Sequence, residues 1–553
     1  MYVAPTADAA EAVNGTVKEY SVREKTLPMY LGAVDSKEDL SVYYINESGV
    51  PYIPVEFIPH ILNKWLEVDQ YEISAGENEN IVTVLRKNTL FTAEFDFGED
   101  TVTFIDYDAF MKPEGEPLVS LNVMSSEIGY LFKPIEELTN DRYGKEICFD
   151  LKPYEIDLVM HDGDHYVPLH TISDLMLSYY NTYSLYNGES VIITAGLDKE
   201  LADIYYSCAP ERTEEFALFD YHELCFALDH LYGLKEIHGI DSFDDYFYEI
   251  GMRKRLKSTD QSEADAAMYE FITCFLDDLH SSFNDLSCGT DPDVYFKKVE
   301  NIVGPWKTKF DGWIEEFDAE RSRFYPDGYL PYEEVGNTAF ITFDNFSHIS
   351  EDIDYLSEPS EEELNDTIRL MQYSYDRIMR KDSPVENVVM DLSVNTGGSI
   401  HAACYVLGMY LGRGSINIKN TMTGATTTSQ YHIDANRDGN YDDKDTFANS
   451  GLNLYCMISP VSFSCGNLVP NEFKADPHIT LIGKTSGGGS CSIMPMATAG
   501  GNIFTISGYR RMSTFKNGSF YDIDRGADPD IYIAKIADFY DREYIADLIN
   551  GNE

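Results

Sequence analysis

The stretch "PVSFSCGNLVP" (460–470) holds Ser462, Ser464 and Cys465 between an apolar run and an amphipathic one. Ser464 falls where a helix is expected to open. Its hydroxyl would then lie near the positive end of the helix dipole, with the Cys465 N–H close by. A second loop of the same kind, "VVMDLSVNTGGSI", sets Gly397 and Gly398 at another helix start, where bare backbone N–H groups can face an anion. Two N–H groups from neighbouring loops are what a tetrahedral acyl intermediate requires. Each loop taken alone is also ordinary turn or N-cap chemistry, and no GxGxxG run points to a dinucleotide.

The elements that must position these loops read as alternating strands and helices after residue 335. "TAFITF" (338–343), "NVVMDL" (387–392), "LNLYCMIS" (452–459) and "HITLIG" (478–483) are expected strands; 360–380 and 399–412 are expected helices. That order predicts an α/β layer with a largely parallel sheet, whose sites gather where strands end and helices begin. Pro470, six residues past Ser464, implies a helix that is kinked or starts late.

Residues 216–330 read as helical. In "SEADAAMYEFITCFLDDLH" apolar residues recur from Ala264 to Leu279 at three- and four-residue spacing, Asp260 and Glu263 mark a start, and His280 follows the end. Earlier, "GVPYIPVEFIPHIL" (49–62) and "GDHYVPLHTISDLM" (163–176) share Gly, Tyr, a β-branched residue, Pro and Ile at matching offsets. Each predicts a strand, a turn, a short strand and a helix opening after Pro54 or Pro168, hence a duplicated α+β unit without catalytic residue types. The expected division is 1–215, 216–335 and 336–553.

In order, "DDLHSSF", "TAFITFDNF", "VVMDLSVNTGGS", "SFSCGN", "LIGKTSGGGS" and "DIDRGADPDIYI" resemble the blocks of the C-terminal processing (tail-specific) and tricorn-type serine peptidases, over about residues 216 to 540. The resemblance implies a crotonase-like α/β catalytic domain that hydrolyses peptide bonds through an acyl-enzyme. It assigns Ser464 as nucleophile, His280 as general base, and Gly398 (or Gly397) and Cys465 as oxyanion-hole donors. The orienting carboxylate is Asp524 or Asp522, with Asp524 preferred.

Two departures matter. The tail-specific lysine position is here Gly489, with Lys484 and Lys474 at the wrong offsets, so a Ser–Lys dyad is missing. Only about fifty residues separate "DDLHSSF" from "TAFITF", too few for a PDZ domain. Two rival readings are a scaffold that keeps the fold without turnover and an esterase on the same machinery. A Ser464–His280 contact would argue against the scaffold.

"DANRDGNYDDKD" (434–445) has the oxygen-ligand spacing of an EF-hand-type Ca²⁺ loop. Asp434, Asn436 and Asp438 stand at positions 1, 3 and 5, Gly439 at 6, Asn440 at 7 through its carbonyl, Asp442 at 9 and Asp445 at 12. A strand precedes it, so an isolated structural loop stabilising a hairpin is expected. The alternative is a solvated acidic turn.

Composition bounds the rest. The 95 Asp and Glu against 41 Lys and Arg give a net charge of -54, which repels nucleic acid and anionic lipid. Nine scattered cysteines without a CxxC pair indicate neither a disulfide framework nor a zinc site. No run is long enough to span a membrane. The start "MYVAPTADAAEAV" has no leader pattern, so the chain is expected to be cytoplasmic or to have lost a leader; the calcium loop favours an extracellular or envelope-facing place. Peptide or protein is the expected substrate, with no organic cofactor.

Overall fold

Thr338–Thr342, Asn387–Asp391, Asn453–Ile458, Ile479–Gly483 and Ile531–Tyr532 lie side by side, all parallel, and Tyr332–Val335 adds an antiparallel edge. The first two are buried at every residue, as strands covered on both faces must be. Alternation along Asn387–Asp391 sends Val388 and Met390 into one apolar cluster and Val389 into another. The first cluster includes Ala403, Leu407 and Leu468; the second includes Phe310, Phe317 and Phe463. The expected parallel layer is therefore present. Asp391 pairs with Met457 and Ile458 with Gly483, so the loops that follow Asp391 and Ile458 leave neighbouring strands on the same side.

This computed structural model describes residues 20–74, 78–120, 127–136, 140–348, 353–516 and 519–551. The stretch read for a leader, and the start of the expected first domain, lie outside them. The expected helix at 399–412 runs Ile400–Leu411. The one expected at 360–380 is shorter, Thr367–Ile378, because Asp366 caps it by accepting from the Arg369 N–H at 3.0 Å.

A second sheet is organised on the long strand Ile503–Lys516, which pairs with Cys491–Ala497, Ser519–Asp522, Gly414–Asn420 and Ser282–Asp285. Ser282–Asp285 was not anticipated; it ties the helical segment to the catalytic region. Thr426–Ile433 joins Gly414–Asn420 and takes Phe132–Pro134 and Asn140–Arg142 from the N-terminal region. The sheet thus crosses the expected boundary at 215.

The two similar N-terminal segments adopt the same element order. Pro51–Pro54 leads through a short turn to helix Ile58–Trp65, and Asp164–Pro168 leads directly to helix Leu169–Leu175. Their strands pair antiparallel, Ile53 against Val167, inside a seven-stranded sheet. A five-stranded sheet from Tyr71–Ser74 to Ile147–Asp150 lies between them in sequence. Among the described residues no helix is long and apolar enough to cross a membrane.

Candidate active site

Ser464 stands at the end of one of the two neighbouring loops with φ 56 and ψ -120, a conformation that costs a non-glycine residue about 1–3 kcal/mol. Two bonds impose it: the Ser464 N–H donates to the Gly488 carbonyl at 2.9 Å, and the Phe463 N–H donates to the Asn395 carbonyl at 3.0 Å. Helix Cys465–Phe473 begins immediately afterwards, without a side-chain cap. The helix does not start late; Pro470 sits inside it. The Ser464 hydroxyl makes no hydrogen bond among the described residues, so it is not acting as an N-cap.

The glycine loop lies against this turn. A Cβ on Gly397 would stand 2.6 Å from the Ser464 Cβ and 3.1 Å from the Cys465 nitrogen, so only glycine permits the approach. Gly397 donates its own N–H to the Asn395 Oδ1 at 2.9 Å. The N–H groups of Gly398 and Cys465 meet no acceptor among the described residues. Of the two glycines, Gly398 is therefore the free donor. The Cys465 thiol donates to the Gly398 carbonyl at 3.1 Å, and burial pushes it up to about 12, which removes it as a nucleophile.

His280 reaches the same place from the helical segment. The helix expected to run to Leu279 is Gln261–Glu270, followed by a π-helical turn Phe271–Leu276. Asp277 and Leu279 then take positive φ, so His280 is a loop residue and not a helix-end histidine. Strand Ser282–Asp285 holds it, with the Thr505 hydroxyl donating to the His280 carbonyl at 3.0 Å. The imidazole is buried and packs edge-on against the Phe463 ring, centroids 4.9 Å apart. His280, Ser464 and Gly398 line one cavity of about 570 Å³. Among the described residues the His280 ring makes no hydrogen bond, to Ser464 or to a carboxylate.

Burial holds the imidazole below its usual pKa, while the charges of Asp278 and Asp524 act in the opposite direction. Asp524 thus acts on His280 through its charge; its Oδ1 accepts from the Ser490 N–H at 3.0 Å and hydroxyl at 3.1 Å. Asp522 is occupied by Arg511 at 2.5 Å. Asp278, inside "LDDLH", was overlooked. It accepts from the Tyr232 hydroxyl at 2.6 Å and the Ser281 hydroxyl at 3.0 Å. Asn395, which organises both loops, was also missed; its place two residues before the glycine pair was the available signal. Lys474 pairs with Asp530, and Lys484 lies over the Phe317 ring at 5.9 Å. Neither lines the cavity.

The acidic loop 434–445 follows strand Thr426–Ile433 as expected, but it leads to Asn453–Ile458 in the other sheet, so it closes no hairpin. Its side chains hydrogen-bond the loop's own backbone. Asp434 accepts from the N–H groups of Asp438 and Gly439, Asn436 from Asp438, Asp438 from Asn440, and Asp445 from Ala435, Asn436 and Asp442. Among the described residues no three His, Cys, Asp or Glu side chains come together as metal ligands would.

A serine at a strained strand-to-helix turn thus lies against a glycine loop with a free N–H and lines one cavity with a buried histidine. Residues 337–533, about a third of the chain, match the model of peptidase family S41. No curated protein matches the chain in sequence. Among solved structures it is similar to a photosystem II D1 C-terminal processing protease, at 16% identity and TM-score 0.26 over 35% of this chain and 42% of that one. It is similar to mature CPAF complexed with lactacystin, at 13% and 0.39 over 61% and 99%. It is similar to the tricorn protease, at 10% and 0.32 over 87% and 46%.

Proposed function

We propose that this chain cleaves peptide bonds through an acyl-enzyme on Ser464, with His280 as general base. The observation that carries the reading is the contact of the two loops. Gly397 abuts Ser464 so closely that the free N–H groups of Gly398 and Cys465 stand beside the strained serine. His280 takes the Ser464 proton as Oγ bonds to the peptide carbonyl carbon, and the two N–H groups receive the oxyanion. The C–N bond then breaks as His280 returns the proton to the leaving amine. Water, deprotonated by His280, attacks the ester; Ser464 recovers its proton and a carboxylate leaves.

The step requires Ser464 and His280 to close to hydrogen-bond distance when substrate enters, since catalytic hydrogen bonds often tighten only in the complex. Asp524 and Asp278 stabilise the imidazolium that forms between the two proton transfers. The apolar cavity wall, with Ile272, Leu279, Phe310, Ile314 and Ile493, favours a bulky apolar side chain beside the cleaved bond.

Labelling by a fluorophosphonate probe tests this. The parent should label, and Ser464→Ala and His280→Ala should each lose labelling. Labelling that survives Ser464→Ala would refute the assignment, and no labelling of a folded parent would favour the scaffold reading. Cleavage of small esters without peptides would favour the esterase reading.

We also propose that loop 434–445 takes Ca²⁺, on the support of its spacing and its several oxygen donors. Binding requires Asp434, Asp438 and Asp445 to exchange N–H groups for the ion. Titration calorimetry with CaCl₂ should give a heat that Asp434→Asn abolishes; no heat with the parent would leave a plain acidic turn. A secreted or envelope-facing protein would meet enough calcium for this.

A further inference from the structure

The helix that begins after Ser464 ends against a second cavity, of about 380 Å³, whose lining is chemically unlike that of the active site. Its floor is one sheet face that a helix would ordinarily cover with apolar side chains. Here Asn417 and Thr428 face each other across paired strands, Gln430 follows two residues on, and Glu472 comes from the helix. Asn417 donates to the Glu472 carboxyl at 3.1 Å. The side-chain oxygen of Gln430 has no hydrogen-bond partner. Burial raises the Glu472 carboxyl to about 8, so near neutral pH it carries a proton it can donate.

Two guanidiniums also line this cavity, those of Arg142 and Arg413. Neither has an ion pair or side-chain hydrogen bond among the described residues, although the chain carries 95 carboxylates against 41 basic residues. They come from different parts of the fold. Arg142 pairs with Thr426, and Gly414, next to Arg413, pairs with Tyr431 on the same strand. Those positions are five residues apart, about 16 Å along the strand. The two arginines therefore flank a floor of hydroxyl and amide groups from opposite ends.

We propose that this cavity is a binding site for a small hydroxylated organic carboxylate, held by Arg142 and Arg413 and hydrogen-bonded along its body by Asn417, Thr428 and Gln430. In a protein of net charge -54, the field disfavours anions, and two exposed guanidiniums without an ion-pair partner at the rim of one cavity offset it locally. Planar guanidinium matches planar carboxylate in a two-bond fork, and the hydroxyls and amides reward a ligand that is polar along its length. Two single positive charges beside the Asp476 carboxylate and the neutral Glu472 suit one or two carboxylates and not a polyanion.

The test is a thermal-shift and calorimetric titration of the full chain, at fixed ionic strength, with malate, succinate and inorganic phosphate. Malate should bind saturably and more tightly than succinate, with little effect of phosphate. Arg142→Ala and Arg413→Ala, both exposed and without partners to orphan, should each weaken malate binding by about tenfold or more. Phosphate binding as tight as malate, succinate as tight as malate, no saturable binding, or malate binding unchanged in the double variant would each overturn the proposal. Failure here leaves the Ser464 reading intact, because fluorophosphonate labelling does not pass through this cavity.

Discussion

A Cβ added to Gly489 would stand 2.6 Å from the Phe463 ring, the ring that packs edge-on against His280. The position that the resemblance assigns to a lysine is therefore filled by an aromatic side chain from the Ser464 turn, and Gly489 also takes φ 88. Phe463 and His280 occupy the space together, so the missing lysine and the histidine are one packing solution.

Gly489→Lys should consequently fail to restore labelling to His280→Ala. Even Gly489→Ala should lower stability by about 1–3 kcal/mol through the clash and the positive φ, as read by chemical denaturation. Unaltered stability of Gly489→Ala would show that Phe463 has room to move.

The pH dependence of labelling follows from the direction of the His280 shift. Burial lowers the imidazole pKa from its ordinary 6.5, so the neutral base persists below that pH and the acid limb should lie under it. Asp524 acts to raise that pKa, so Asp524→Asn should move the limb further towards acid while slowing peptide turnover, which needs the imidazolium. Asp278→Asn should shift it in the same direction. A limb that stays put in both variants would separate these carboxylates from the histidine.

Much of the catalytic sheet was legible because its strands are short apolar runs bounded by turn residues, and strand order then fixed the adjacency of the loops after Asp391 and Ile458. The end of the helix before His280 was not legible, since its cause is distant in sequence. The Asp277 carboxylate accepts from the Trp306 N–H at 2.5 Å and the Lys307 N–H at 3.1 Å, capping helix Pro305–Phe324. Local apolar spacing favours continuing the helix; the cap requires Asp277 to leave it, and the cap prevails. Strand Ser282–Asp285 escaped notice for a similar reason, since its partner lies more than two hundred residues on and its own residues are mostly exposed.

Gly397→Ala probes the junction of the two loops. The added methyl carbon would fall 2.6 Å from the Ser464 Cβ and 2.8 Å from the Phe463 carbonyl, at a backbone φ of 104. Either the glycine loop withdraws or the serine turn does, and the Gly398 and Cys465 N–H groups no longer converge. Loss of an oxyanion-hole donor costs about 10²–10³ in rate, so labelling of the folded variant should slow by that order, beside a loss of stability of about 1–3 kcal/mol from the clash and the positive φ. A parent-like labelling rate would mean that these N–H groups do not hold the oxyanion.

Stability should fall as pH rises, because of a buried acid pair that does not line the Ser464 cavity. Asp174 and Glu223 are buried, each with one carboxyl oxygen lacking a hydrogen-bond partner, and Thr171 donates to the other oxygen of Glu223. Burial raises Glu223 from 4.5 to about 8, and burial together with the Glu223 charge raises Asp174. A carboxyl whose folded pKa exceeds its unfolded value binds more protons folded than unfolded between the two. Stability is then fully present below about 4.5 and declines as pH climbs towards 8. The loss is up to about 1.4 kcal/mol per pH unit for one such group. Denaturant midpoints from pH 5 to 8 should drop in the parent and drop less in Glu223→Gln, which stays neutral. Equal slopes in both proteins would place the proton elsewhere.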